Sequence, residues 1–115
     1  MLKDFPLVAI TQLTPEALQA MLSATPDLFV LDVRTPEEYA YLGHIPGATL
    51  LPLHQLPNAL STLNKDISMV VTCQHGVRSM DACWFLEQAG FDKLYNFTEG
   101  MSVWSGAIER EPLPG

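Results

Sequence analysis

The chain predicts an α/β domain built on a mostly parallel sheet, and three observations carry that expectation. Short apolar runs alternate with segments that carry helix signals, the pattern of strands joined by helical crossovers. The run Leu28-Phe29-Val30-Leu31 is continuously apolar, as a strand covered on both faces is. The segment Ser68-Met69-Val70-Val71-Thr72 leads into a glycine-containing loop and then an apolar run with Trp84, Phe85 and Leu86. A strand therefore feeds a tight loop, and the loop opens a helix.

In chain order, Leu7 to Ile10 is the first expected strand. Thr14-Pro15-Glu16 starts a helix, with proline at the first helical position, where its missing N–H costs nothing. The Leu28–Leu31 strand ends in Asp32-Val33-Arg34. Thr35-Pro36-Glu37-Glu38 has the form of a capping box, in which Thr35 and Glu38 satisfy each other's backbone N–H groups. A brief helix through Tyr39 to Leu42 follows, and Gly43 stops it. His44-Ile45-Pro46-Gly47-Ala48 is a turn, and Thr49 to Leu51 a short strand. Leu56, Leu60 and Leu63 fall at helical spacing. After the strand that precedes Cys73, a helix is expected from Val77 to Ala89, ended by Gly90. Lys93 to Phe97 reads as the last strand, and Met101 to Ile108 as a final helix. The tail from Glu111 to Gly115 is rich in proline and expected to fray.

Length and composition narrow the function. With 115 residues, 48% of them hydrophobic, the chain is expected to form one domain over 1–115 that buries its own core. A formal charge of −7 opposes binding to nucleic acid or to an anionic membrane surface. No apolar run approaches the roughly 20 residues of a membrane span. The first residues, Met1-Leu2-Lys3-Asp4-Phe5-Pro6, lack the apolar stretch of a signal peptide. The 2 cysteines make no disulfide framework, and a reduced, cytoplasmic setting is expected.

Cys73 stands at the strand-to-helix junction. A thiol there faces the unpaired N–H groups of a helix N-terminus, and these favour an anion. The thiolate is the nucleophilic form of cysteine. At a pKa of about 8.5 only about 3% of a thiol is ionised at pH 7, and at about 6.5 roughly three-quarters is. The backbone N–H groups of Gln74, His75, Gly76, Val77, Arg78 and Ser79 are candidate donors to such an anion, with Gly76 allowing close approach.

Three motifs resemble the signatures of the rhodanese domain family. Asp32-Val33-Arg34, Glu38-Tyr39 and Gly43-His44-Ile45-Pro46-Gly47-Ala48 together resemble its first signature. Cys73-Gln74-His75-Gly76-Val77-Arg78-Ser79 looks like its active-site loop, and Glu99-Gly100 followed by Trp104 resembles its C-terminal signature. The resemblance runs from about Leu28 to the end. Where the family usually carries a second glycine after Gly100, this chain has Met101.

The resemblance implies a three-layer fold with about five strands, flanked by helices, and a thiosulfate sulfurtransferase activity. In that family the loop cysteine takes a sulfane sulfur from thiosulfate or a persulfide, holds it as a persulfide, and passes it to cyanide, a thiol or a protein. It implies no metal and no organic cofactor. Its site residues map onto Cys73 as the catalytic thiol and Gln74, His75, Gly76, Val77, Arg78 and Ser79 as the substrate-binding loop. Asp32, Arg34 and Glu38 form a charge cluster that supports this loop. Arg78 is the only full positive charge in the loop, and it can either steer an anion or pair with an acid and brace the loop. His75 can touch substrate at the rim or stand in solvent.

Cys83 falls among Ala82, Trp84, Phe85 and Leu86 and is expected to fill core. His44 is expected to bond backbone within its turn and to hold no metal, since no Cys/His group has zinc spacing. Trp104 is expected to pack. Two other classes stay open. One is a phosphatase or arsenate reductase on a similar fold, whose loop has one more residue between Cys and Arg than the four here. The other is a relay or interaction module that exchanges sulfur only with a partner protein.

Overall fold

The computed structural model describes residues 10–111; residues 1–9 and 112–115 lie outside it. Five parallel strands form one sheet: β1 (Ile10–Leu13), β2 (Phe29–Asp32), β3 (Thr49–Leu50), β4 (Met69–Thr72) and β5 (Leu94–Phe97). Their spatial order is β1-β5-β4-β2-β3. Most of the first expected strand, Leu7 to Ala9, is outside the described residues. β1, Ile10–Leu13, pairs with β5 alone among the described residues, so Thr11 and Gln12 face solvent on an edge.

The central strands explain the apolar runs. In β2 and β4, adjacent residues point to opposite faces, and both faces are covered. Leu31 and Val71 join Met69, Ala82, Cys83, Leu86, Phe91 and Leu94 in one core, beneath α3 (Val77–Gln88). Val30 and Val70 join Leu13, Leu18, Ile45 and Phe97 on the other face, beneath α1 (Pro15–Ala24). Helix, sheet and helix give the three layers expected.

Local signals behave as their chemistry dictates. The Thr14 hydroxyl accepts the Ala17 N–H at 3.1 Å and caps α1, with Pro15 at its start. Thr35 Oγ1 accepts the Glu38 N–H at 3.1 Å, and Glu38 Oε1 accepts the Thr35 N–H at 3.0 Å, closing the capping box. The turn that follows, Glu38–Leu42, is a wide π-helical one rather than an α-helix, and Gly43 ends it at φ 91°. Where Leu56, Leu60 and Leu63 suggest one helix, the chain from Leu53 to Thr62 is three short pieces: 3₁₀ turns at Leu53–Gln55 and Leu60–Thr62 flank the single α-turn α2, Leu56–Ala59. Leu56 alone is fully buried there.

The final helix expected from Met101 to Ile108 does not form. A 3₁₀ turn at Met101–Val103 is followed by extended chain. The backbone groups of Glu109 are taken by an antiparallel bridge: His44 N–H donates to its carbonyl at 2.9 Å, and its N–H donates to the His44 carbonyl at 2.8 Å. The Trp104 indole N–H turns to the Ala107 carbonyl at 3.0 Å, and its ring packs edge-on against Phe97. Tertiary pairing outweighs a weak local periodicity.

Candidate functional site

The site lies beyond the carboxyl end of β4, at the centre of the sheet, where parallel α/β sheets present their ligand-binding loops. The chain leaves the strand at Thr72, passes through Cys73 to Gly76, and enters α3 at Val77. Gly76 takes φ 91°, a left-handed conformation open to glycine. A side-chain carbon there would run into the Thr98 carbonyl oxygen. Glycine is therefore required both by the backbone angle and by a neighbouring chain.

This turn folds the loop around its own sulfur. The Gly76 N–H donates to Cys73 Sγ at 3.1 Å, and the Ser79 N–H donates to it at 3.2 Å. The thiol in turn lies 3.3 Å from Ser79 Oγ. An ionised sulfur at this point would receive the Ser79 hydroxyl as a third donor. Cys73 and Ser79 are buried, whereas His75 and Val77 are exposed at the mouth. The arrangement can hold one compact anion at the sulfur, with oriented dipoles in place of water.

The supporting charges divide into two pairs. Asp32 and Arg34 are both fully buried and bonded face to face, with Arg34 Nη2 2.8 Å from Asp32 Oδ2 and Nε 3.0 Å from Oδ1. The remaining guanidinium donors reach outward. Nη2 bonds the Gly43 carbonyl at 2.8 Å, and Nη1 bonds Gln74 Oε1 at 2.9 Å. A buried charge is tolerated when it is paired and hydrogen-bonded, and here the guanidinium's bonds tie β2, the Gly43 turn and the Cys73 loop together.

The second pair is Glu38 and Arg78, joined by two parallel bonds of 2.8 Å each. The Arg78 guanidinium beside it holds the Glu38 carboxyl down at about 2, against an ordinary value of 4.5. Arg78 is thereby a brace whose charge is matched, and the capping box that fixes Glu38 fixes Arg78 as well. Cys83 is also buried, and among the described residues its sulfur has one hydrogen-bond partner, the Tyr95 carbonyl at 4.0 Å. Burial pushes this thiol up to about 12, with the nearby Cys73 and Glu87 adding to the rise.

One part of the site is not evident from the thiol's own neighbourhood in sequence. The Met101 N–H donates to the Cys73 carbonyl at 2.8 Å, and the Ser102 N–H donates to the Gln74 carbonyl at 2.9 Å. Gly100, at φ 74°, makes that approach feasible, since a side-chain carbon would lie 2.6 Å from the Cys73 carbonyl oxygen. Met101 replaces the family's usual glycine without loss of this contact, because the bond uses its backbone and the residue opens a 3₁₀ turn. The signal was the Glu99-Gly100 motif itself, whose role appears only when the loop is folded against it.

Comparison with known proteins agrees with this geometry. The rhodanese-like domain model matches residues 14–107. A sulfurtransferase of Allochromatium vinosum is 36% identical over 84% of this chain and 89% of its own. A thiosulfate sulfurtransferase, GlpE, of Stutzerimonas stutzeri is 33% identical over 81% of this chain and 83% of its own. The crystal structure of a rhodanese-like domain protein from Staphylococcus aureus superposes with a TM-score of 0.81 at 33% identity, covering 89% of this chain and 99% of that one. A parallel sheet with Cys73 at the carboxyl end of its central strand, together with these matches, makes the chain a member of the rhodanese-like domain family.

Proposed function

We propose that this protein is a sulfurtransferase that moves a sulfane sulfur through a persulfide on Cys73. The observation that carries the reading is the pair of N–H donors, from Gly76 and Ser79, aimed at the Cys73 sulfur. In the first step the Cys73 thiolate attacks the outer sulfur of thiosulfate. The new S–S bond forms as the S–S bond of thiosulfate breaks, and sulfite leaves with the electron pair. The enzyme then carries a terminal persulfide anion, and the donors that faced the thiolate serve that anion. In the second step cyanide, a thiol or a protein thiolate attacks the outer sulfur, and Cys73 leaves as thiolate. Charge balances in both steps, and no cofactor takes part.

The supporting charges favour one donor class over another. Thiosulfate is a dianion, the protein carries −7, and the loop's one arginine is matched by Glu38. A persulfide, with a single diffuse charge, meets less opposition than thiosulfate does. Low-molecular-weight or protein persulfides are therefore the better donors, and thiosulfate the poorer one.

Intact-mass measurement tests this directly. After incubation with thiosulfate, or with a small-molecule persulfide, the protein gains about 32 Da, the mass of one sulfur, and cyanide removes it as thiocyanate. The Cys73→Ser chain gains nothing. If neither donor loads the wild-type thiol while an activated aryl phosphate turns over through Cys73, the phosphatase reading takes its place. Loading by a protein persulfide alone would make the chain a relay. A phosphoryl group needs donors for three equatorial oxygens, and the four residues between Cys73 and Arg78 form a shorter loop than such enzymes use.

A further inference from the structure

Away from the thiol, His44, Glu109 and Glu111 converge, with ligand atoms all within 4.8 Å of one another. The chain brings them together through the antiparallel bridge between His44 and Glu109, and Glu111 lies on the same extended segment. His44 is 1% exposed, and its ring stacks on Tyr39 with centroids 3.6 Å apart. Its Nδ1 lies 3.1 Å from the Tyr39 carbonyl, which can only accept, so Nδ1 carries the proton. The opposite nitrogen, Nε2, then presents a lone pair toward two carboxylates. A backbone carbonyl that holds one ring nitrogen and sets the tautomer is how proteins orient a histidine as a metal ligand.

Two lone-pair donors facing a third call for positive charge between them. The distances distinguish a proton from a metal ion. A charged imidazole bonded to a carboxylate brings N and O to about 2.7–2.9 Å. Here Nε2 stands 3.7 Å from Glu109 Oε1 and 3.6 Å from Glu111 Oε2, nearly equidistant and beyond hydrogen-bond reach of either. Ligand atoms about 2.0–2.2 Å from one tetrahedral zinc ion lie about 3.4 Å apart. We infer that His44, Glu109 and Glu111 form a binding site for a divalent transition-metal ion of the zinc class, with a fourth position left to solvent. One buried imidazole and two exposed carboxylates suit zinc or cobalt better than calcium or magnesium, which prefer all-oxygen sets. The ion would pin the C-terminal segment to the Gly43-His44 turn, which Arg34 also holds.

The His44 position in sequence concealed this, because the carboxylates come from residues 109 and 111 and no local spacing links them. The site owes nothing to sulfur transfer, so its test is run on the full Cys73→Ser chain, in which the loop thiol cannot compete for metal. Titration with zinc sulfate, followed by calorimetry and native mass spectrometry, is expected to show one ion per chain at micromolar free metal. The melting temperature should rise by several degrees with zinc. Cobalt(II) should give the visible absorption of a tetrahedral site. The double substitution Glu109→Gln, Glu111→Gln changes exposed side chains and should leave the fold intact, yet weaken zinc by at least about tenfold and erase the cobalt spectrum. Absence of binding at micromolar zinc overturns the site, as does equal binding by the double variant.

Discussion

Cys73 and Cys83 sit in the same apolar core, between the sheet and α3, and both are shut away from solvent at 1% and 0% exposure. Yet their chemistry is opposed. Around Cys83 the helix has spent its N–H groups on its own ladder, and the sulfur's hydrogen-bond partner among the described residues is an acceptor, the Tyr95 carbonyl oxygen. Nothing there can receive a negative charge, and burial pushes the thiol up to about 12. Around Cys73 the helix has only begun. The N–H groups of Gly76 and Ser79 have no earlier turn to bond and point to the sulfur instead. Burial is the same in both regions. What differs is the direction of a few backbone dipoles, and that direction is set by one glycine and one loop.

Removing the nucleophile is the strongest way to break the contrast. Cys73→Ser should lower thiocyanate formation by more than about 1000-fold, because serine at neutral pH is a far weaker nucleophile than a thiolate. Circular dichroism and the melting curve should stay close to wild type, since the size change is small. Residual activity within about tenfold of wild type would assign the chemistry to another residue.

Next in size is a change that keeps the thiol and spoils its cradle. Gly76→Ala must fit a side chain at φ 91° against the Thr98 carbonyl. The loop has to move, at a cost of roughly 2–4 kcal/mol in stability. With the two N–H donors displaced, sulfur transfer should drop by about 100-fold. A lowered melting temperature with normal turnover would show that the cradle is dispensable.

How far the sequence reveals this contrast follows from what each feature depends on. Strands β2 to β5, α1, α3 and the capping box at Thr35 are legible because each depends on neighbours in the chain, whereas Thr11 to Leu13 of β1, on the sheet edge, were not expected as strand. The loop after β4 is legible for the same reason: strand, Cys73, glycine and helix lie within a few residues. The supports are less so. Glu38 is 40 residues from Arg78, and both its partnership and its brace of the loop exist only in three dimensions. The Met101 and Ser102 contacts, and the extended chain where a final helix was expected, depend on long-range pairing with Cys73, Gln74 and His44. Periodicity cannot report bonds made across the fold.

The Glu38–Arg78 pair tests whether the brace matters to the cradle. Glu38 is 25% exposed and Arg78 36%, so solvent screens the pair and its worth to stability is about 1 kcal/mol or less. Glu38→Gln should therefore melt only slightly lower at neutral pH. Its effect on transfer should split: kcat falls severalfold as the loop loosens, while KM for thiosulfate falls because the Arg78 charge is no longer matched. The pH dependence has a definite sign. Glu38 is held at about 2 in the folded protein against 4.5 otherwise. Its contribution is thus complete above about 4.5 and is lost as pH falls toward 2. The wild-type advantage over Glu38→Gln should shrink across that acid window in urea melts. An advantage that stayed constant down to pH 2 would mean that the carboxylate charge is not what holds Arg78.

The smallest effect on turnover should come from the other cysteine, and it sharpens the comparison most. Cys83→Ala removes one buried sulfur from the cluster of Leu31, Val71, Leu86 and Leu94. Such a deletion leaves a small cavity and costs about 1–2 kcal/mol, seen as a lower melting temperature. Transfer should stay within about threefold of wild type, because Cys83 contributes no donor to the loop and its thiol is un-ionised at neutral pH. The change leaves Gly76, Ser79 and their bonds to Cys73 in place. A protein that melts normally yet transfers sulfur as poorly as Cys73→Ser would place Cys83 in the reaction as a second thiol. It would also mean that burial without donors does not silence a cysteine, which is the principle on which the whole contrast between the two rests.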